Sequence, residues 1–364
     1  MKVFLTGATG FVGSTLVQRF VSDGVEVKAL VRDEAIVLPD GVQKVVGDLA
    51  FLAVGDPSAS RREVSTPGGV LGMSGVIAQD AREGALGDHV NPARDLSTAL
   101  KMTLTDIDVV VHVAARAHIM REELADPLAE YREVNRDATL SLARLAADAG
   151  VKRFVFVSSI KVNGEFTRPG NPFLPDDKYI PTDPYGLSKY EAEQGLLNIA
   201  EETGMEVVII RPPLVYGPGV KANFASMMNW VNKGIPLPFG AIHNQRSLVA
   251  LDNLVDFMAL CADREKSPKA ANQVFLISDG EDVSTTQLLQ KVANAFNKKA
   301  RLLSIPVGLM TFMAKLLGKG DVANRLFGSL QVDSSKARDL LDWKPVITMD
   351  EQLKKIAEAF KDKL

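Results

Sequence analysis

The stretch MKVFLTGATGFVG, residues 1–13, decides the fold. Val3, Phe4 and Leu5 make a short apolar run, Gly7, Gly10 and Gly13 follow in a G-x-x-G-x-x-G pattern, and an amphipathic stretch runs from Phe11 to Ser22. Val25 to Val31 is apolar again, so the opening reads as β-α-β. Glycine lets the backbone turn tightly and approach a pyrophosphate, whose charge is met by free N–H groups and the helix dipole. The loop from Gly7 through Thr9, Gly10, Phe11 and Val12 to Gly13 is therefore a candidate dinucleotide site.

Working outward, apolar runs recur at Val42 to Val46, Ile107 to Val113, Phe154 to Val157 and Val207 to Ile210. Helical patterns lie between Pro127 and Ala149 and between Tyr185 and Glu202. This alternation predicts an α/β chain with a Rossmann-type, doubly wound parallel sheet covered by helices on both faces. Residues 1–211 are expected to form the dinucleotide-binding domain. Residues 212–364 are expected to form mainly a smaller substrate-binding lobe, with some elements returning to the sheet; its pieces include Gln273 to Ile277 and a last helix near Asp350 to Phe360. Residues 50–94, rich in Gly, Ser, Ala and Pro, show no sustained period and read as an irregular insertion before a helix over Asp95 to Met102.

Composition narrows the functional classes. Lys plus Arg number 42 and Asp plus Glu 45, a net charge of −3 with no long basic block, which argues against nucleic acid as a partner. Cys261 is the only cysteine, so no internal disulfide or cysteine zinc cluster forms, and a cytoplasmic location is expected. Four scattered histidines offer no metal site. No apolar stretch reaches the ~18 residues of a membrane span. The nearest, Val307 to Leu317, is interrupted by Lys315 and reads as a helix of the smaller lobe, with a membrane-surface face as the alternative.

The strand ends should line the cofactor site. Asp48 and Leu49 close the third strand, where they would hold an adenine; Val113, Ala114 and Ala115 close the fourth and leave room for the cofactor. His112 beside them reads as a packed histidine. An acid at the end of the second strand would bind the adenosine ribose hydroxyls, whereas an arginine would favour a 2′-phosphate. The chain has Val31 and Arg32 there, so NADP(H) is favoured over NAD(H). Further on, Tyr185 and Lys189 are four apart on one helical face, where an ammonium would lower the phenol's pKa and make it a usable proton donor or acceptor.

With TGATGFVG (Thr6 to Gly13), HVAA (His112 to Ala115), FVSSIKVNG (Phe156 to Gly164), PYGLSK (Pro184 to Lys189), RPPLVYGPG (Arg211 to Gly219) and RSLVALDNLVD (Arg246 to Asp256), the chain resembles the nucleotide-sugar epimerase/dehydratase group of the extended short-chain dehydrogenase/reductase family. The resemblance implies Ser159, Tyr185 and Lys189 as the catalytic group. It places Val157, Pro212 and Val215 beside the cofactor, with Asn135 supporting the hydrogen-bond network there. It implies Ser159, Lys161, Asn223 and Arg246 as substrate contacts, Arg246 gripping a nucleotide diphosphate, and a homodimer through the helices at Pro127–Ala149 and Tyr185–Glu202.

Sugar 4,6-dehydratases carry an Asp-Glu pair after the catalytic hydroxyl residue, and here Ile160 and Lys161 stand there. Dehydration is thereby disfavoured. The sequence expectation is a soluble oxidoreductase acting at C4 of a nucleotide-linked sugar. It would reduce a UDP-4-keto-6-deoxy-N-acetylhexosamine for surface polysaccharide synthesis. A UDP-sugar 4-epimerase with tightly bound NAD is the alternative, and a non-catalytic cofactor-sensing scaffold a weaker one.

Overall fold

A computed structural model of the chain describes residues 1–53, 92–117, 126–168, 170–220, 222–318 and 320–361. It begins with β1 (Lys2–Thr6), α1 (Phe11–Ser22), β2 (Glu26–Val31), β3 (Val42–Val46), α2 (Ala50–Ala53) and α3 (Pro92–Leu104). Then come β4 (Val109–His112), α4 (Pro127–Arg132), α5 (Ala138–Asp148), β5 (Arg153–Val157), α6 (Pro184–Thr203) and β6 (Glu206–Arg211). The remainder holds β7 (Leu214–Tyr216), α7 (Ala222–Asn232), β8 (Arg246–Ala250), α8 (Leu251–Ala262), β9 (Gln273–Leu276), β10 (Asp282–Val283) and α9 (Thr285–Ala295). Four helices close the chain: α10 (Val307–Leu316), α11 (Gly320–Phe327), α12 (Ser335–Leu341) and α13 (Met349–Lys361). Of the irregular segment read at 50–94, residues 54–91 lie outside the described residues.

Seven strands pair in parallel in the order β3-β2-β1-β4-β5-β6-β9, the doubly wound arrangement expected from the alternating pattern. Successive side chains of a strand point to opposite faces, so apolar runs need cover on both. Val3 and Leu5 of β1, Val109 and Val111 of β4, and Val208 and Ile210 of β6 pack with Leu16 and Phe20 of α1 and Leu254 and Phe257 of α8. The intervening Phe4, Val110, Phe154, Phe156, Val207 and Ile209 pack with Leu100 of α3, Leu142 of α5 and Leu196 of α6.

Not every residue of these strands is apolar. Arg153 at the start of β5 is fully buried, and its guanidinium donates to Glu206 (2.7 Å), to Ser267 Oγ (2.8 Å) and to the carbonyls of Cys261 and Ser267. Burial of that charge is tolerated only because every side of it is paired.

β9, grouped by the sequence pattern with the lobe pieces, is one of the elements that return: it pairs with β6 at the sheet edge. The lobe itself is a three-stranded sheet in the order β10-β8-β7. Its own core gathers Tyr216, Met228, Leu248, Leu289, Val292, Leu353 and Ile356 from β7, β8, α7, α9 and α13. Asn253 in α8 latches the two parts, donating to Asp279 Oδ1 (2.7 Å) and the Ile347 carbonyl (2.9 Å) while accepting from the N–H groups of Val346 and Ile347. Strand order reverses between β1 and β4, and in such sheets ligands bind in the crevice beyond the strand ends at that reversal. Among the described residues no helix is long and apolar enough to cross a membrane.

Candidate active site

The glycines of the first loop sit at this reversal, and two of them have no substitute. Gly7 has φ +76°, and a Cβ there would lie 2.7 Å from the Ala114 nitrogen, so β1 and β4 approach through bare backbone. A Cβ on Gly13 would collide with the Gly7 carbonyl oxygen. Gly10 precedes α1 with no side-chain cap, leaving the first-turn N–H groups of Phe11, Val12 and Gly13 to a ligand or solvent. Thr9 and Gly10 are exposed at the crevice, and Phe11 and Val12 are half-buried.

The other strand-end residues are placed less uniformly. Val113 and Ala114 are half-buried and Ala115 exposed beyond β4, and Val157 and Val215 are half-buried with Pro212 buried between β6 and β7. Asp48 is half-buried and spends Oδ1 on the Ala50 N–H (3.0 Å), capping α2, with Leu49 packed beneath in the core. Val31 is buried, 3% exposed, and Arg32 is exposed with no ion pair among the described residues. The first carboxylate after this strand along the chain is Asp33, a residue not singled out from the sequence; its Oδ1 accepts from the Ala35 N–H (2.8 Å).

Ser159 meets Tyr185, and Lys189 lies one turn further along α6. Ser159 Oγ accepts from the Lys161 N–H (3.3 Å), which leaves its own proton to donate to the Tyr185 phenol oxygen. Asp183 caps α6 by accepting from the Gly186 N–H (3.1 Å), and Pro184 supplies the fixed first-turn φ. Tyr131 packs edge-on against the Tyr185 ring at 5.7 Å between centroids.

Lys189 is fully buried, 4.1 Å above the Phe156 ring, and its Nζ has no hydrogen-bond partner among the described residues. Burial pulls its pKa from the ordinary 10.5 down to about 7, against the opposing pull of Glu193 one turn along. Burial likewise pushes Tyr185 up to about 12, with the Ser159 hydrogen bond acting against it and the Asp183 charge adding to it. The expectation that the ammonium lowers the phenol's pKa is not met in the protein alone: desolvation dominates, and the one opposing influence is the Ser159 hydrogen bond. Ser158 Oγ, also buried, has no partner either. Two orphaned polar groups, Lys189 one turn along α6 from Tyr185 and Ser158 at the end of β5, together with a glycine loop into which no side chain fits, match the needs of a dinucleotide: hydroxyls for Lys189 and Ser158, a pyrophosphate for the loop.

The residues expected on the substrate side fare differently. Lys161 is held by Asp183 (3.0 Å) and Glu165 (3.4 Å), with its Nζ 5.9 Å from the Tyr185 ring centre, so its charge is already spent within the protein. Asn223 falls in α7, but its side chain lies outside the described residues. Arg246 opens β8 half-buried, donates to the Gly328 carbonyl (3.2 Å), and has its pKa lowered by burial, a cost that a neighbouring anion would offset. Arg211 is a buttress: it forks onto Glu193 (2.5 and 3.0 Å) and reaches Asn163 Oδ1 (3.0 Å), locking β6 to α6.

Asn135 makes its hydrogen bonds within the protein. It is fully buried in a π-helical turn, Glu133–Asp137, accepting from the Arg116 N–H (2.8 Å) and donating to the Arg116 carbonyl (3.0 Å) and Ser188 Oγ (3.1 Å). Both its donors are consumed, so it positions the chain after β4 against the helix that carries Tyr185 and Lys189. Thr139 in the next turn donates to the Asn135 carbonyl, so it must accept from His112 Nε2 (2.9 Å); His112 Nδ1 then accepts from Thr6 Oγ1 (2.7 Å). Burial holds His112 neutral, with its pKa down to about 3. This relay ties the end of β1 to the π turn, and it assigns His112 the packing role that the sequence suggested. Replacing Asn135 by Ala strands the Arg116 peptide groups and Ser188, and should lower unfolding free energy by about 1–3 kcal/mol at unchanged m-value. Urea denaturation checks this; a loss under about 0.5 kcal/mol, the scale of a neutral surface change, would contradict it.

Comparison with known proteins agrees with the site. The model of the NAD dependent epimerase/dehydratase family matches residues 3–277. A UDP-glucose 4-epimerase from Vibrio cholerae is 46% identical over 362 residues, covering 99% of this chain and 95% of that protein. An N-acetyl-alpha-D-glucosaminyl-diphospho-ditrans,octacis-undecaprenol 4-epimerase from Escherichia coli O157:H7 is 26% identical over 330 residues, 87% of this chain and 81% of that one. Among solved structures, the UDP-glucuronic acid 4-epimerase from Bacillus cereus in complex with NAD superposes with a TM-score of 0.70 at 19% identity, covering 100% of this chain and 97% of that one, a likeness of fold. Loop, sheet order and sequence agree, and the chain belongs to the NAD-dependent epimerase/dehydratase family.

Proposed function

We propose that this chain is a 4-epimerase of a UDP-linked hexose, with NAD as its cofactor. The observation that carries the reading is the 46% identity, along 99% of the chain, to a UDP-glucose 4-epimerase. The 4-ketoreductase expected from sequence gives way to the alternative, since the relatives described above are all 4-epimerases. NADP(H) gives way with it. Arg32 stands in solvent, where a charge pair contributes little, and the Bacillus cereus complex contains NAD.

When bound, NAD would take up and return the hydride at the sugar's C4. Lys189 and Ser158 would hold it near Tyr185, and the first turn of α1 would meet its pyrophosphate. Tyr185 takes the C4 hydroxyl proton and later gives it back, with Ser159 donating to the phenol oxygen so that the anionic form is stabilised where it develops. A tyrosine held near 12 stays protonated at neutral pH and offers little phenolate to act as the base, so the site needs Lys189 charged. Lys189 sits near 7 in the protein alone, and hydroxyl acceptors around its Nζ would favour the ammonium. We assign the nucleotide to the lobe of residues 212–364, where Arg246 would meet the diphosphate. Two copies would pair through α5 and α6, as the family resemblance implies.

Purified protein should interconvert UDP-glucose and UDP-galactose with no added cofactor. Tyr185→Phe should retain its NAD content and lose about 10²- to 10⁴-fold in turnover, the usual contribution of a positioned acid/base. Stoichiometric consumption of added NADPH, or a wild-type rate in the variant, would overturn the reading. Arg32→Ala should leave NAD affinity within about fivefold, since an exposed charge contributes at most ~1 kcal/mol. Isothermal titration of cofactor-stripped protein measures this, and a tenfold loss would restore Arg32 to the binding site.

A further inference from the structure

Helix α10 turns its apolar side outward. Leu309, Phe312, Met313, Leu316 and Leu317 follow the i, i+3, i+4, i+7, i+8 spacing of a single helical face, yet each is 50–69% exposed. A surface helix of a globular protein ordinarily presents that stripe to the core. None of the residues of α10 is buried; the helix packs on α11, and Leu303, 54% exposed, extends the apolar surface ahead of it. The stripe is a contiguous apolar patch of the kind that marks an interaction site.

The charges that lead into α10 and lie on it are of one sign. Lys298, Lys299 and Arg301 are exposed just before the helix and Lys315 is exposed on it. From Val283 to Gly318 the sequence contains no Asp or Glu, although the whole chain carries a net charge of −3. Lys298 and Lys299 line a cleft of about 500 Å³ with Gln290, Asn294 and Ser304, and Ser304 lies two residues before Pro306, the N-cap of α10.

We infer that α10 docks on an anionic lipid bilayer, its apolar stripe set into the interface and Lys298, Lys299, Arg301 and Lys315 at the headgroup phosphates. An apolar helical face bordered by long cationic side chains is the pattern of an interfacial helix, and lysine stems extend over apolar surface while their charges reach phosphate. With 10 residues, α10 lies on a membrane and is too short to span one. A second copy fits less well. A two-fold contact sets the same patch against itself, bringing two basic clusters together with no carboxylate from this segment to neutralise them. The hairpin is also coupled to the candidate site: the Gly328 carbonyl, just after α11, accepts from both Arg246 (3.2 Å) and Asn244 (2.9 Å).

Co-sedimentation of the full chain with vesicles tests this independently of any epimerase activity. Vesicles of mixed phosphatidylglycerol and phosphatidylcholine should pellet the protein at about 0.1 M salt and release most of it at about 0.5 M, as screening shortens the reach of the lysines. Phe312→Asp with Leu316→Asp should reduce binding at least ~10-fold, and Lys298→Ala with Lys299→Ala roughly 10-fold at low salt. Circular dichroism and cofactor content should be unchanged in both, since these side chains are exposed. Absence of binding, equal binding to pure phosphatidylcholine, or binding that the Asp variants leave intact would overturn the proposal. So would sedimentation velocity showing that the Asp variants dissociate a dimer while vesicles bind neither form, which would make the face a contact between copies.

Discussion

The buried ammonium of Lys189 constrains everything built around it. A lysine taken fully out of water with no hydrogen-bond acceptor is tolerated only when other interactions hold the helix in place, and here they are abundant. Asp183 and Pro184 start α6, Arg211 clamps Glu193 to β6, and Asn135 ties Ser188 to the chain beyond β4. Each of these fixes the turn of helix that carries Lys189 and Tyr185. The fold absorbs the desolvation of that charge at one point, leaving a donor whose unmet hydrogen bonds define the ligand that belongs there.

The same logic explains the crevice. At the reversal of strand order, β1 and β4 come so close that a side chain at Gly7 has no room, and α1 starts without a capping side chain. Backbone N–H groups are what remains to meet an anion. The glycine loop follows β1 and Lys189 lies over Phe156 of β5, with β4 between those two strands, so an extended dinucleotide can reach both, whereas a small ligand would reach one.

Much of this was legible in the sequence because it rests on local signals. The glycine loop, the alternating runs of the parallel sheet and the Tyr185–Lys189 spacing each depend on residues close in the chain. What escaped depends on burial. Arg153 sits in a run that reads as an ordinary strand start, yet it is a fully paired internal charge joining β5 to the segment after α8. Asn135 carries the right residue type for a cofactor contact, but its partners lie 19 and 53 residues away, and only the fold shows that they consume it. Lys161 and Arg32 illustrate opposite outcomes for a sequence-identified cation: one is tied up by carboxylates, and the other stands in solvent. The expected lowering of the Tyr185 pKa fails for the same reason, since spacing reveals proximity and says nothing of desolvation.

The central claim is that Lys189 is an unpartnered, desolvated ammonium completed by a dinucleotide. Its titration is open to direct observation by NMR of ¹³C-labelled lysine side chains, with Lys189→Met assigning the resonance. The account predicts a midpoint near 7, far below the ordinary 10.5, in protein stripped of cofactor, and a displaced midpoint once NAD is bound. A midpoint near 10.5 that cofactor leaves in place would contradict it.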